Sequence, residues 1–146
     1  MAGDQNDDLA LKYRALDETW KPRVETPDAV RADNLLTFPY EHVGRDADVE
    51  ITTDEFTALC PWTGLPDFGT LVVRYVPAER CIELKSLKHY LMSYRSVGVV
   101  QESAANRILD DLVSVCRPKR MTVTLDYRVR GGLHTVVTVS TPRDGT

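Results

Sequence analysis

A strict alternation near the C-terminal end restricts the fold most. Between residues 120 and 129, apolar and polar side chains alternate, which predicts a strand with one buried face. The apolar members are Met121, Val123, Leu125, Tyr127 and Val129. Gly131-Gly132 follows as a two-residue hairpin signal, and residues 133–140 return as a partner strand. The pattern therefore predicts an antiparallel hairpin with one apolar face.

The middle of the chain changes to a helical period. Residues 83–95 place apolar side chains three and four positions apart, which is typical of a helix with one buried stripe: Leu84, Leu87, Leu91 and Tyr94. Residues 102–116 repeat this pattern with Ala104, Ala105, Ile108, Leu109, Leu112 and Val115. Gly98 separates the two predicted helices, and Pro118 ends the second.

Two further strands are predicted before the helices. Residues 48–52 alternate, and residues 69–76 are rich in β-branched side chains. Between them we expect one helical turn at residues 53–59 and a loop at residues 61–68. The order strand, strand, helix, helix, strand, strand predicts an α+β fold, a four-stranded antiparallel sheet with two helices on one face. Its unpaired edge strands favour self-association.

Composition and charge limit the class of protein. A hydrophobic content of 42% and a charged content of 27% are typical of a globular domain. We assign residues 1–32 to a partly disordered N-terminal arm and residues 33–146 to a single domain. The sequence has neither an apolar run long enough for a membrane helix nor a signal-peptide core, so we expect a cytoplasmic protein with no membrane contact. The net charge of −4 argues against nucleic acid as a direct partner.

Cysteine and aspartate supply the first candidate chemistry. Cys60 enters a loop rich in proline and glycine, where an exposed thiolate can act as a nucleophile; a small buried hydrophobe is the equally good alternative. Cys81 and Cys116 fit the buried alternative better. Asp67, seven residues after Cys60, is either a general acid and base or an ordinary turn residue. The three cysteines and three histidines are widely spaced, so no metal site is predicted.

Charged residues at the predicted helix starts are the second group of candidates. Glu83 and Glu102 either complement the helix dipole or accept hydrogen bonds from a heterocycle. Lys85 and Lys88, one turn apart, and Arg130 either bind phosphates or form a solvated basic face. The chain has no glycine-rich dinucleotide motif and no P-loop.

At these same residues the sequence resembles a known family, the NADPH-dependent 7-cyano-7-deazaguanine reductases (QueF) in their short, single-domain form. The resemblance covers most of residues 33–141. It rests on Leu-Thr-Phe-Pro (36–39), Glu-Phe-Thr-Ala-Leu-Cys-Pro-Trp-Thr-Gly-Leu-Pro-Asp-Phe (55–68), Glu-Leu-Lys-Ser-Leu-Lys-His-Tyr-Leu-Met-Ser-Tyr-Arg (83–95), Gln-Glu (101–102) and Arg-Gly-Gly (130–132). The combination of the cysteine motif with the lysine motif is specific.

The resemblance implies a fold, an assembly and a reaction. The fold is the tunnelling fold (T-fold), in which subunits form pentameric rings and two rings stack into a decamer. The reaction is the four-electron reduction of the nitrile 7-cyano-7-deazaguanine to an aminomethyl group with NADPH, in queuosine biosynthesis, a tRNA modification pathway. Cys60 is implied to attack the nitrile carbon to give a covalent thioimide, and Asp67 to donate protons to the nitrogen.

The resemblance also implies two binding sets. Glu102 matches the family glutamate that grips the deazaguanine ring, and the substrate set is completed by Ile82, Glu83, Leu84 and Gln101. The NADPH set is Lys85, Ser86, Lys88 and Arg130. The sequence departs from the family at Gln101, where histidine is usual, at Leu84, where serine is usual, and at His89, where leucine or tyrosine is usual.

Two other functions stay open at this stage. One is the QueF-like amidinotransfer reaction on the nitrile base in tRNA, which shares the cysteine and lacks the NADPH motif. The other is a non-catalytic T-fold protein that binds purines or pterins. Retention of Lys85-Ser86-Leu87-Lys88 and the acidic net charge favour the reductase.

Overall fold

The computed structural model describes residues 2–19 and 23–142, with the side chains of residues 2–6 left aside. The elements, in chain order, are α1 (Ala2–Thr19), β1 (Thr37–Pro39), β2 (Val49–Leu59), β3 (Pro66–Val76), β4 (Arg80–Ile82), α2 (Leu84–Met92), α3 (Gln101–Cys116), β5 (Arg120–Tyr127) and β6 (Val136–Ser140). Short 3₁₀ turns occupy Pro27–Ala29 and Ala32–Asn34.

The main sheet has the order β2-β3-β5-β6, and every neighbouring pair is antiparallel. The predicted α+β class and four-stranded antiparallel sheet are therefore confirmed. The helical turn predicted at residues 53–59 is wrong, because these residues continue β2 and pair with β3 through Leu59. A β-bulge lies between Thr53 and Phe56: β2 advances three residues while β3 advances two, from Leu71 to Gly69.

A second, two-stranded sheet ties the connection before β2 to the start of α2. In it β1 pairs antiparallel with β4, with Thr37 opposite Ile82. Glu83 continues the contact, since its backbone N–H donates to the Leu36 carbonyl at 3.0 Å. The three residues that precede the predicted lysine motif are thus held in a strand that sequence patterning did not predict.

Helices α2 and α3 cover one face of the main sheet, as predicted. The inward side chains of β3 and β5, among them Leu71, Val73, Val123 and Leu125, pack against Leu87, Tyr90, Ile108 and Leu112 of the helices in one buried cluster. The helices begin and end close to the predicted positions. Leu84, predicted to face the core, is 60% exposed, because the buried face of α2 runs through residues 86, 87 and 90. Tyr90, which was not predicted to face the core, is fully buried.

The N-terminal arm contains more regular structure than predicted. Residues 2–19 form α1, whose described side chains are exposed, and the predicted arm also includes residues 1 and 20–22, which lie outside the described residues. Val30, also placed in the arm, is 6% exposed within the core cluster, so packing against the domain begins before the predicted boundary at residue 33. Within the described residues, no helix is long and apolar enough to cross a bilayer.

Candidate active site

The end of β2 is joined to the segment that leads into α3, and this brings Cys60 close to the start of that helix. The Leu59 N–H donates to the Val97 carbonyl at 2.9 Å, and the Val99 N–H donates to the Leu59 carbonyl at 3.1 Å. Gly98 lies between them. A Cβ at this position would stand 2.5 Å from a methyl of Val24 and 3.3 Å from the Pro61 backbone, so only glycine permits the close approach.

Cys60 itself begins a tight turn. Its N–H donates to the Leu65 carbonyl at 2.9 Å, and its carbonyl accepts from the Gly64 N–H at 2.8 Å, with Gly64 in the left-handed region at φ 70°. The sequence left an exposed nucleophile and a buried small side chain as equal alternatives, and Cys60 is in fact only 4% exposed.

The turn also acts on the thiol electrostatically. A hydrogen bond from the Thr63 side chain lowers the pKa of Cys60 from 9.0 to about 7, assisted by the Thr63 and Trp62 backbone and by Arg130, while burial opposes the shift. At pH 7 about half of this thiol is thiolate, the form that attacks electrophiles. The thiol is thus both shielded and ionisable.

Asp67 lies within strand β3, opposite Ala58, and not in a loop as predicted. Its side chain is 9% exposed and accepts a hydrogen bond from Nη1 of Arg130 at 2.7 Å. Arg130 comes from the turn between β5 and β6, where Gly131 and Gly132 have φ of 60° and 77°, as the hairpin signal predicted. Its guanidinium pKa is raised by a hydrogen bond with Cys60 and by the charge of Asp67. Arg130 therefore links the two predicted catalytic side chains.

Gln101 and Glu102 complete this region from the first turn of α3. Val100 caps the helix without a side-chain hydrogen bond, and Glu102 is exposed at the positive end of the helix dipole. A cavity of about 360 Å³ unites these groups, which is within the usual size range of small-molecule sites. Its lining includes Cys60, Pro61, Trp62, Asp67, Val99, Val100, Gln101, Glu102, Arg128, Arg130, Leu133 and Thr135.

Tyr127 does not line the cavity but bonds to one of its lining residues, Gln101. The sequence pattern assigned Tyr127 only to the core. Its ring is 2% exposed, and its hydroxyl donates to the Gln101 carbonyl at 3.3 Å. Burial raises the pKa of Tyr127, and the charges of Asp67 and Glu102 raise it further. The hydroxyl thus stays protonated near both carboxylates. The only signal in the sequence was its place on the inward face of the strand that precedes the Gly-Gly turn.

The second set of predicted residues lies at the start of α2, and its polar groups are engaged locally. Both carboxylate oxygens of Glu83 accept backbone N–H bonds, from Lys85 at 2.9 Å and Ser86 at 2.7 Å, and these bonds lower the pKa of Glu83. The buried Ser86 hydroxyl donates to the Glu83 carbonyl at 2.7 Å and accepts from the Leu36 N–H at 3.0 Å. The Ile82 side chain is 2% exposed in the core, and its N–H donates to the Tyr75 hydroxyl.

The exposed residues of this second set line other cavities. Lys85 borders a cavity of about 260 Å³ with Asn34, Leu36, Glu83, Ser86 and His89. Leu84 and Lys88 border a more apolar one of about 240 Å³, together with Phe56, Leu87 and Arg95, among others. Neither cavity includes a residue of the Cys60 cavity. Within one chain, therefore, Cys60, Asp67, Gln101, Glu102 and Arg130 are brought together, and the predicted residues from Ile82 to Lys88 are not.

The other cysteines lie away from this cavity. All three cysteines are free thiols. Cys116 is 1% exposed at the end of α3, where Sγ donates to the Arg80 carbonyl at 3.2 Å and burial raises its pKa to about 11. Cys81 is half-buried in β4. Across the described residues, no group of three or more histidine, cysteine, aspartate or glutamate side chains is placed to hold a metal ion.

Comparison with solved structures places the fold. A crystal structure of the archaeosine synthase QueF-Like in the apo form superimposes with a TM-score of 0.60 at 22% identity, covering 64% of this chain and 91% of that one. The antiparallel sheet, the two helices on one face and this likeness define a T-fold protein.

Comparison of sequences defines the family. A family model described as QueF-like protein matches residues 66–146. The NADPH-dependent 7-cyano-7-deazaguanine reductase of Chlorobaculum tepidum is 53% identical over 106 residues, which cover 73% of this chain and 91% of that protein. The protein of the same name from Thermomicrobium roseum is 58% identical over 104 residues, 71% of this chain and 81% of that one. The chain belongs to the QueF family.

Proposed function

We propose that this protein reduces 7-cyano-7-deazaguanine to 7-aminomethyl-7-deazaguanine with NADPH, through a covalent thioimide on Cys60, in queuosine biosynthesis. The observation that carries the proposal is the union, in one cavity, of an ionisable thiol with the Asp67–Arg130 pair and Glu102. The relatives' names supply the substrate and the cofactor. The free thiols fit the reducing cytoplasm, where we place the protein.

Cys60 supplies the nucleophile. The sulfur forms a bond to the nitrile carbon, one π bond of the nitrile breaks, and its electron pair moves to nitrogen. The thiolate makes the attack, and the nitrogen then takes up a proton delivered through Asp67. That proton comes from the thiol or, once the thiol is ionised, from water, so the protons balance. Arg130 holds the Asp67 carboxylate at 2.7 Å, which keeps it aimed into the cavity.

Glu102 holds the base. A carboxylate accepts N–H bonds from the ring edge of a guanine-like heterocycle, in the manner in which glutamate reads an amino group. Gln101 adds an amide at the cavity wall and cannot titrate. We therefore assign the proton transfers to Asp67 and the recognition of the base to Glu102.

The residues at the start of α2 fit the phosphates of NADPH by charge. Lys85 and Lys88 are exposed cations one turn apart, and Arg95 lines the same cavity as Lys88. When bound, NADPH would supply two hydrides to the former nitrile carbon. The carbon–sulfur bond to Cys60 breaks between the two reductions, which returns the thiol and frees the product. Ser86 and Glu83 contribute differently from the prediction: their hydrogen bonds shape the first turn of α2 and thereby present the lysines.

We further propose that ring assembly completes the site. In one chain the lysines and Cys60 line separate cavities, so a second copy has to bring its Ile82–Lys88 segment to the Cys60 cavity. Among the described residues, β6 and the part of β2 before Leu59 pair with a strand on one side only, which suits sheet extension between copies. Mixing Cys60→Ala subunits with Lys85→Ala/Lys88→Ala subunits tests this proposal: mixed oligomers regain activity only when the two sets come from different copies.

The decisive experiment follows NADPH absorbance after addition of the nitrile base. We expect oxidation that depends on the nitrile and is lost in Cys60→Ala. An adduct on Cys60 without NADPH oxidation would replace the reductase by the amidinotransfer reaction on the nitrile base. The lack of both an adduct and oxidation would leave only ligand binding.

A further inference from the structure

Trp62 is a large apolar side chain in an unusual environment. It is 81% exposed, although tryptophan is highly buried on average in folded proteins. It sits in the turn after Cys60, which the backbone bonds from Cys60 to Leu65 and from Gly64 to Cys60 hold in place. The indole is therefore displayed on a fixed support and does not fill the core.

The indole belongs to the wall of the Cys60 cavity. The lining divides into polar groups, represented by Asp67, Glu102 and Arg130, and apolar ones, represented by Trp62 and Val100. Polar groups can hydrogen-bond to the edge of a planar ligand and act on its reacting atom. Apolar groups can pack against the two faces of its ring. The cavity thus has the composition that a planar, polar-edged ligand requires.

The proposed reaction leaves one face of the substrate to be held. A bond to Cys60 fixes the nitrile carbon, and Glu102 fixes the ring edge, and both contacts lie in the plane of the base. Neither prevents the ring from tilting about the line that joins them. A flat aromatic side chain two residues from the nucleophile can prevent that tilt by stacking.

We infer that Trp62 stacks on the face of the deazaguanine ring and is a substrate-binding residue of this site. The inference rests on the proposed function and adds to it a residue that sets affinity for the heterocycle. The nicotinamide ring of NADPH and a second copy of the chain are the competing occupants. The base is favoured because it is bonded to Cys60, within the same turn as Trp62.

Kinetics with matched variants test the assignment. Trp62→Leu keeps apolar bulk but removes the flat face, and Trp62→Phe keeps a flat face. We expect Trp62→Leu to raise KM for the nitrile base about tenfold, in line with base–aromatic stacking, with kcat and KM for NADPH unchanged. Trp62→Phe should retain most of the affinity. Leu133→Ala, which removes another exposed apolar side chain from the same cavity, serves as the control for general loss of apolar surface.

Fluorescence tests the contact directly. The chain has two tryptophans, so Trp20→Phe leaves Trp62 as the only indole. With Cys60→Ala added to block chemistry, the nitrile base should quench the Trp62 emission in a saturable way. The oxidised cofactor NADP⁺, which does not absorb at the emission wavelength of tryptophan, should not quench it.

The results of these experiments distinguish the base from the nicotinamide ring and from a second copy of the chain as the partner of Trp62. Equal KM for the nitrile in the Leu and Phe variants, or no quenching by the base, would overturn the inference. An increase in KM for NADPH alone would assign Trp62 to the nicotinamide and also overturn it, as would dissociation of the oligomer in Trp62→Leu with unchanged KM. Quenching by the base without NADPH oxidation by the unaltered protein would retain the stacking contact and reject the proposed reduction.

Discussion

The Cys60 cavity draws its polar groups from separate parts of the chain, whereas the start of α2 takes nearly all of its polar groups from neighbouring residues. In the cavity, Arg130 reaches Asp67 across 63 positions of sequence. At α2, Glu83 bonds to backbone groups two and three residues away.

This difference indicates that the Cys60 cavity can react with a substrate, whereas the start of α2 can only bind a ligand through its lysines. The local bonds at α2 use both oxygens of Glu83 and the Ser86 hydroxyl, so only the lysines are left to meet a ligand. In the cavity, Cys60, Asp67 and Glu102 line space that a substrate can fill. We therefore expect changes in the cavity to alter bond formation and changes at α2 to alter cofactor affinity.

Removal of the thiol should have the largest effect. We expect Cys60→Ala to abolish the mass increase and the absorbance of the adduct with the nitrile base, and to lower turnover by at least about a thousandfold, since no other group can form the bond. Cys81→Ser is the matched control, because Cys81 lies outside the cavity. Adduct formation in Cys60→Ala would contradict the assignment.

The pH dependence of adduct formation should come next in size. The thiolate reacts, and its pKa of about 7 lies below the ordinary value of 9.0. The rate should therefore be nearly constant above pH 8 and fall about tenfold per pH unit well below pH 7. Rapid-mixing absorbance measurements without NADPH report this step alone. A midpoint near pH 9 would show that the turn does not lower the pKa.

Thr63 should set that midpoint. Thr63→Val removes the hydroxyl that contributes most to the lowered pKa, so the midpoint should move from about 7 toward 9.0, and adduct formation at pH 7 should slow several-fold. Thr63→Ser keeps a hydroxyl and should keep the midpoint. The same shift in both variants would mean that the shape of the threonine side chain or the turn geometry matters, and not the hydrogen bond.

Lys88→Ala should separate the two regions. We expect KM for NADPH to rise about five- to tenfold through loss of one charge-assisted phosphate contact, while the rate of adduct formation without NADPH is unchanged. Lys119→Ala, which removes a lysine paired with Asp46 elsewhere on the surface, is the control. A slower adduct in Lys88→Ala would place this lysine in the bond-forming region instead.

The smallest effect is expected at Tyr127. Tyr127→Phe removes the hydroxyl bonded to the Gln101 carbonyl, which should lower the free energy of unfolding by about 1 kcal/mol and loosen the first turn of α3. Tyr94→Phe, another buried tyrosine with a hydrogen-bonded hydroxyl, should cost a similar amount. Only Tyr127→Phe should also raise KM for the nitrile, by roughly twofold, because it alone contacts the helix turn of Glu102.

Sequence patterns predicted correctly the elements whose structure is set by local periodicity. The alternation at residues 121–127 and the glycines after it specified β5 and its turn, and the period in residues 102–116 specified α3. The stretch from Thr53 to Leu59 was misassigned because its strand conformation depends on pairing with β3, which no local pattern reveals.

The sequence predicted which residues belong to the candidate site, but it did not predict how they are arranged in space. The cysteine and lysine motifs identified the residues together. The burial of Cys60 follows from contact with residues 97–99, and the position of Arg130 follows from a turn about seventy residues away, so both depend on tertiary structure. Tyr127 and Thr63 were missed because a core tyrosine and a turn threonine have no distinctive spacing.

The bulge in β2 determines which single-codon deletions in this strand the site can tolerate. Before it, the odd-numbered residues Val49 and Ile51 point toward the helices; after it, the even-numbered Phe56, Ala58 and Cys60 do. Successive side chains of a strand point to opposite faces of the sheet. The face on which the Cys60 side chain lies therefore depends on the number of residues that precede it in the strand. Deletion of one codon inside the bulge would restore the regular alternation and leave the sulfur on its present side. Deletion of the Thr57 codon, beyond the bulge, would turn the sulfur toward the opposite side of the sheet.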